Sequence, residues 1–265
     1  MLLNKIFVII DPTVDAQPAF ERALQSAQMT GTRLHLYACV TGTEAAGSAD
    51  TQLNAMGGHL ELLLKRCQDA GIDAVQEVEC SEDWSQSALR AAARCSASMI
   101  FKNSFEHSDV QRELRPTSDF TLLRLSPCPV LLVKNVRDWQ ERRVLAAINS
   151  ESVDAAHIKL NHLIISFTQN LTEAYGSDAH FVTAYNDSNH PPDLEHLAST
   201  CGAPPEHVHV AKGAAATVIS QLAESIKADL IIIGTVGRDG IKARVVGNTA
   251  EKVLDHTGAD VLVIN

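Results

Sequence analysis

At 265 residues, 45% hydrophobic and 20% charged, the chain has the balance of an ordinary globular protein of two modest domains or one large one, which excludes a stapled miniprotein or a disordered tail. Its 22 Lys and Arg against 32 Asp and Glu give a net charge of -10 with no basic run, a field that repels polyphosphate backbones and argues against nucleic acid as a partner. The six cysteines are scattered without a CxxC pair, and no apolar stretch reaches the roughly 18–20 residues that cross a bilayer. The opening run to Ile10 is too short for the apolar core of a signal peptide, so reduced thiols, no membrane span and a cytoplasmic location are expected.

Taken in chain order, short apolar runs at 4–11, 33–40, 74–80, 97–102 and 129–134 alternate with helix-periodic stretches at 17–30, 54–70, 83–97 and 118–125. Apolar runs of this length fit strands covered on both faces, and the alternation fits βαβ units on a parallel sheet. Gly31 and Gly71 stand where two helices should stop. Ser81 or Asp83 offers an oxygen to cap the third helix, and Pro127 ends the fourth. Thr41 to Thr51, rich in small and polar residues, reads as a mobile loop.

The plan then repeats. Strands are predicted at 143–149, 178–184, 207–211, 229–234 and 260–264, with helices near 157–172, 193–200, 214–227 and 248–256. Arg137 to Arg143 is polar and reads as the linker. Two tandem five-stranded α/β domains follow, over residues 1–136 and 142–265.

The segment that carries chemistry begins where the strand from Asp229 runs into Gly234, Thr235, Val236, Gly237 and Arg238, and it continues to Gly247, Asn248, Thr249 and a helix. Glycines let the chain turn sharply with its amides outward, and a helix start adds partial positive charge. The carboxyl end of a parallel strand is also where open α/β sheets hold ligands. A phosphate cradle is therefore expected in the second half.

The string Gly234-Thr-Val-Gly-Arg-Asp-Gly240 with Val246-Gly-Asn-Thr-Ala-Glu-Lys-Val-Leu254 and the terminal apolar strand resembles the C-terminal signature of the universal stress protein family. The whole chain is similar to its tandem-domain members. The resemblance implies a flavodoxin-like, or adenine-nucleotide α-hydrolase-like, sheet of five parallel strands in each half. In nucleotide-binding members it also implies a Gly-x2-Gly-x9-Gly-(Ser/Thr) loop, matched here by Gly234, Gly237 and Gly247 but with Asn248 at the Ser/Thr position. An acid closes the first strand of those members, where the second half has Asn149. The implied cofactor is ATP or another adenine nucleotide, with Mg, and none is needed for the fold. The implied role is a stress-response regulator or scaffold without enzymatic turnover. Single-domain members dimerise through the last strand; here Val130 to Lys134 and Val261 to Asn265 are the matching edges, so the expected arrangement is an intramolecular pseudo-dimer, with a further homodimer open.

Laid over the second half without a gap, the first half puts Asn103 at Gly234, Glu106 at Gly237, Pro116 at Gly247 and Thr117 at Asn248. A carboxylate repels phosphate and a proline has no amide hydrogen to donate, so this half should not bind ATP even though Asp11 is retained. Its cleft is left for another, partly apolar ligand, which makes a small-molecule carrier or sensor the competing reading, and a ligand-free interaction scaffold the third. His207 and His209 alternate on a predicted strand, but two ligands do not make a metal site and no third is placed by spacing; no metal is expected. No Gly-x-Ser-x-Gly elbow or catalytic triad occurs. Asp239 is the sole carboxylate to nominate as a base, Lys242 and Arg244 add charge to the loop, and Cys67 and Cys80 read as inert thiols.

Overall fold

The apolar runs fold as expected. In the computed structural model, which describes residues 4–40, 49–104, 118–134, 142–186, 191–235 and 248–265, packing divides the chain into two compact units, Leu2–Val136 and Arg137–Asn265. The first contains β1 (Lys5–Ile10), α1 (Pro18–Thr30), β2 (Arg33–Val40), α2 (Ala49–Asp69), β3 (Ala74–Cys80), α3 (Trp84–Arg94), β4 (Met99–Asn103), α4 (Ser118–Leu125) and β5 (Val130–Val133). The second contains β6 (Arg143–Ala147), α5 (Ala155–Tyr175), β7 (Asp178–Tyr185), α6 (Leu194–Cys201), a 3-10 turn (Pro205–His207), β8 (Val208–Lys212), α7 (Ala215–Ser225), β9 (Leu230–Gly234), α8 (Asn248–His256) and β10 (Asp260–Ile264).

Strand order in the first unit is β3-β2-β1-β4-β5, and in the second β8-β7-β6-β9-β10. Within each unit the pairings are parallel. In this doubly wound order the first strand of a unit lies between its second and its fourth. The chain leaves the first strand in one direction and returns on its other side, which opens a crevice at the carboxyl ends of β1 and β4, and of β6 and β9. Burial explains why the strands lack alternation. Ile6, Phe7 and Val8 are consecutive and fully buried, as are Ile231 and Ile232, so helices cover both faces and each such side chain contributes about 1.5–3 kcal/mol.

Helix ends follow their local chemistry. Gly31 stops α1 and Gly71 follows α2, both in the left-handed region, at φ 69° and 73°, where a side chain would be strained. Of the two capping candidates Asp83 is the cap: its carboxylate accepts the Gln86 N–H at 3.0 Å. The Thr41 to Thr51 loop is corrected at its end, since residues 49–51 already belong to α2; residues 41–48 lie outside the described residues. The apolar face that Met56, Leu60 and Leu63 bury extends the helix past the predicted start, through two glycines at 57 and 58.

Candidate functional site

The crevice of the second unit is built by two neighbouring parallel strands whose register pairs Val144 with Leu230 and Ala146 with Ile232. This brings Asn149, just past β6, beside Gly234 at the end of β9. Asn149 is exposed, and its backbone is held from both sides: its N–H donates to Asn161 Oδ1 at 3.0 Å, and its carbonyl accepts from Asn161 Nδ2 at 2.8 Å. Thr235 continues β9 by donating its N–H to the Ile264 carbonyl at 2.8 Å, and its hydroxyl donates to Asn265 Oδ1 at 2.7 Å. Asn248 opens α8, with Thr249 exposed in its first turn. Of the predicted loop, Val236, Gly237, Arg238, Asp239, Lys242, Arg244 and Gly247 lie outside the described residues.

Gly234 serves packing as well as any ligand. A Cβ built there would lie 2.5 Å from Leu160 Cδ2, so the Leu160 side chain of α5 packs against the strand end and would have to shift to admit a side chain. Beside Asn149 a cleft of about 280 Å³ opens, lined among others by Ser150, Asn161, His162, Asp193 and His196.

At the equivalent strand end of the first unit the chain's own polar groups bond one another. Asn103 stands in the place of Gly234. It is buried, its Oδ1 accepts the Ala19 N–H at 2.7 Å, and its Nδ2 donates to Gln17 Oε1 at 3.0 Å. Gln17, also buried, donates to the carbonyls of Asp11 and Val14 at 2.7 Å each and accepts the Asp11 N–H at 3.1 Å. The Asp11 carboxylate turns back onto Thr13, accepting its N–H at 2.8 Å and its hydroxyl at 2.6 Å. Glu106, Pro116 and Thr117 lie outside the described residues. A cleft of about 480 Å³ remains beside Asp11, lined by Thr13, Val40, Met56 and His59 among others. The buried His59 Nε2 has no hydrogen-bond partner among the described residues.

At the opposite, amino-terminal end of the second unit's strands the structure assembles a cluster that spacing along one strand does not reveal. His207 is not on a strand as predicted but ends the 3-10 turn, while His209 is in β8. The partners come from β7. Asp178 Oδ2 lies 3.3 Å from His180 Nε2, Asp178 Oδ1 lies 3.5 Å from His207 Nδ1, and His180 Nδ1 lies 3.1 Å from His209 Nε2. The His180 ring stacks on that of His207, with centroids 4.4 Å apart. Arg143 Nε donates to Asp178 Oδ2 at 3.1 Å. Burial holds both His180 and His209 below the ordinary imidazole value, with the Asp178 carboxylate opposing the shift at His180. The Asp178 carboxyl itself is held down by its bonds to Arg143 and His180, against desolvation, which is the largest single effect and acts upward.

The thiol reading agrees with the surroundings of Cys67: burial pushes it up to about 11, which leaves almost no thiolate at neutral pH. Cys80 is exposed. No helix of the described residues is long and apolar enough to cross a membrane.

Duplicated five-stranded units with a crevice at the carboxyl ends of the first and fourth strands define a tandem α/β protein of the class that holds small ligands at the strand ends. The chain belongs to the universal stress protein family, whose model matches residues 3–134 and 161–265. It is 26% identical to Universal stress protein E of Escherichia coli K12, over 99% of this chain and 94% of that protein. The Universal stress protein E homolog of Haemophilus influenzae is 32% identical over 55% of each chain. Among solved structures, the protein PA1789 of Pseudomonas aeruginosa, described as functionally unknown, aligns with a TM-score of 0.78 at 26% identity, covering 99% of this chain and 92% of its own. A universal stress protein of Archaeoglobus fulgidus shares the fold with a TM-score of 0.75 at 19% identity, over 99% of this chain and 96% of its own.

Proposed function

We propose that this tandem universal stress protein is a regulator or scaffold that binds one adenine nucleotide or similar phosphate ligand in the second unit, without catalytic turnover. The observation that carries the reading is the contrast at one position. Gly234 contributes no side chain to the strand end of the second unit, against which Leu160 packs, whereas in the first unit Asn103 stands there and is hydrogen-bonded to Gln17. Around Gly234 the described residues fit a nucleotide: Asn149 is an exposed amide, Thr235 a hydroxyl, and α8 offers the positive end of a helix. Nucleotide and Mg would supply charge that changes on nucleotide exchange; Asn149 would orient the sugar or base, and the glycine loop would hold phosphate through its amides.

The test is to purify the native protein without added ligand, denature it, and identify any small molecule released, then to repeat this with Gly237→Asp. A near-stoichiometric adenine nucleotide, lost in the variant, is expected. A nucleotide retained by folded Gly237→Asp overturns the cradle. One observation favours a second reading, a carrier or sensor using the first unit: its cleft, at about 480 Å³, is within the usual range for small-molecule sites and larger than its counterpart. A released non-nucleotide species, displaced by substitutions at Asp11 or Ser104, would select it.

A further inference from the structure

We propose that Asp178, His180 and His207 form a binding site for a divalent transition metal of the Zn2+ class, with His209 orienting His180 from behind. Zinc takes imidazole nitrogen and carboxylate oxygen at about 2.1 Å in tetrahedral geometry, which sets neighbouring ligand atoms about 3.4 Å apart. Asp178 Oδ2 lies 3.3 Å from His180 Nε2 and Asp178 Oδ1 lies 3.5 Å from His207 Nδ1, each near that spacing though through different oxygens, and one ligand atom from each of the three residues lies within 4.8 Å of the others, so binding turns the stacked imidazoles to bring their nitrogens onto one ion. Three protein ligands leave the fourth position to water.

The surroundings have the form that metal-bound histidines adopt. A ligating imidazole donates its other N–H to an acceptor, which fixes tautomer and ring orientation, and His180 Nδ1 is 3.1 Å from His209 Nε2. Arg143 engages Asp178 through Oδ2, the oxygen that also faces His180, while Oδ1 faces His207. As a cation close to the carboxylate it weakens binding.

The duplicated unit shows that the fold alone does not require the cluster. At the matching register positions the first unit has Arg33 for Asp178, His35 for His180, Val75 for His207 and Glu77 for His209. There His35 Nε2 meets Glu77 at 2.9 Å, and Glu77 is also bonded by Arg94. The carboxylate is thus neutralised by Arg94, while burial holds His35 below the ordinary imidazole value, and a single imidazole is present. The second unit puts Ser225 at the end of α7 where Arg94 ends α3, and supplies imidazoles instead. The site is also separate from the nucleotide crevice: it lies at the first residue of β7, an eight-residue strand about 23 Å long, while the crevice is at the carboxyl ends.

The full chain, stripped with a chelator, is titrated with Zn2+ alone by calorimetry and with Co2+ by absorption. One ion per chain and a tetrahedral Co2+ spectrum are expected. Affinity should fall at least about a hundredfold in His180→Gln and His207→Gln, and about tenfold in His209→Gln. Because a variant can misfold, the wild type provides an independent readout: Zn2+ should shield His180 and His207 from acylation by diethyl pyrocarbonate, and 15N shifts should move the His180 proton to Nδ1. Failure to take up Zn2+ at micromolar concentration, undiminished uptake by a folded His180→Gln/His207→Gln variant, or acylation indifferent to Zn2+ would each overturn the site.

Discussion

The two units share a strand order and diverge at the crevice each fold creates. In the first, Asn103 and Gln17 join the ends of β1 and β4 to the start of α1 through buried hydrogen bonds. In the second, the corresponding strand end is a glycine with the side chain of Leu160 pressed against it. The difference teaches that equivalent strand ends can be satisfied by a network of amide side chains or by a glycine with a packed leucine, without disturbing the sheet. Polar groups that would otherwise bond a ligand or water bond one another, and the backbone remains satisfied.

The largest expected effect comes from cutting the amide network of the first unit. Asn103→Ala removes the acceptor for the Ala19 N–H and one of the two donors to Gln17 Oε1, leaving the buried Ala19 N–H unpaired. The variant should lose about 3 kcal/mol, read as a lower denaturant midpoint in urea unfolding of the full chain, with the first unit's transition displaced. An unchanged midpoint would mean water replaces the amide at no cost, and the comparison fails.

A smaller effect is expected from crowding the glycine strand end of the second unit. Gly234→Ala places a Cβ where Leu160 already sits, which should cost about 2 kcal/mol. Because the clash is with one flexible side chain, Leu160→Val in the same chain should recover part of the loss. A double-mutant cycle with no coupling between the two sites would show that the glycine is not there for packing.

The smallest effect concerns the caps. Asp83 caps α3, whereas Ala214 holds the same position before α7 and offers no side-chain bond. Asp83→Ala should destabilise the first unit by about 1 kcal/mol and Ala214→Asp should stabilise the second by a similar amount, each read by thermal unfolding. The pH dependence has a definite sign. The Gln86 N–H and the Ser85 hydroxyl hold the Asp83 carboxyl below its ordinary value. Its contribution is therefore complete above the unfolded carboxylate value of about 3.9 and fades as pH falls through the lower folded value. The wild-type and Asp83→Ala curves should converge there.

Much of this architecture is legible in the sequence because it is local. Runs such as Ile6 to Ile10 and Ile231 to Ile233 declare buried strands, Gly31 and Gly71 declare helix stops, and an ungapped overlay of the halves sets Asn103 on Gly234, as β4 and β9 do in three dimensions. The overlay shows that a glycine is missing but not what replaces it, since Gln17 meets Asn103 across 86 residues of chain. The histidine cluster is hidden for the same reason. His180 and His209 are 29 residues apart, and only the register that pairs Val182 with His209 brings the rings together. The start of α2 is missed because the small residues before position 54 look like a loop when taken alone, while the length of the helix is set by the sheet it covers.

The presence of Asn103 and Gln17 in place of a glycine strand end has a consequence for dose response. On the nucleotide reading, a chain that carries two copies of a fold but keeps the glycine strand end in one of them has a single nucleotide-binding equilibrium per molecule. With one site there is no second occupancy for the first to favour or oppose, so saturation follows a plain hyperbola with a Hill coefficient of one. Duplication then yields a gauge that reports ligand level in proportion rather than a switch that trips at a threshold.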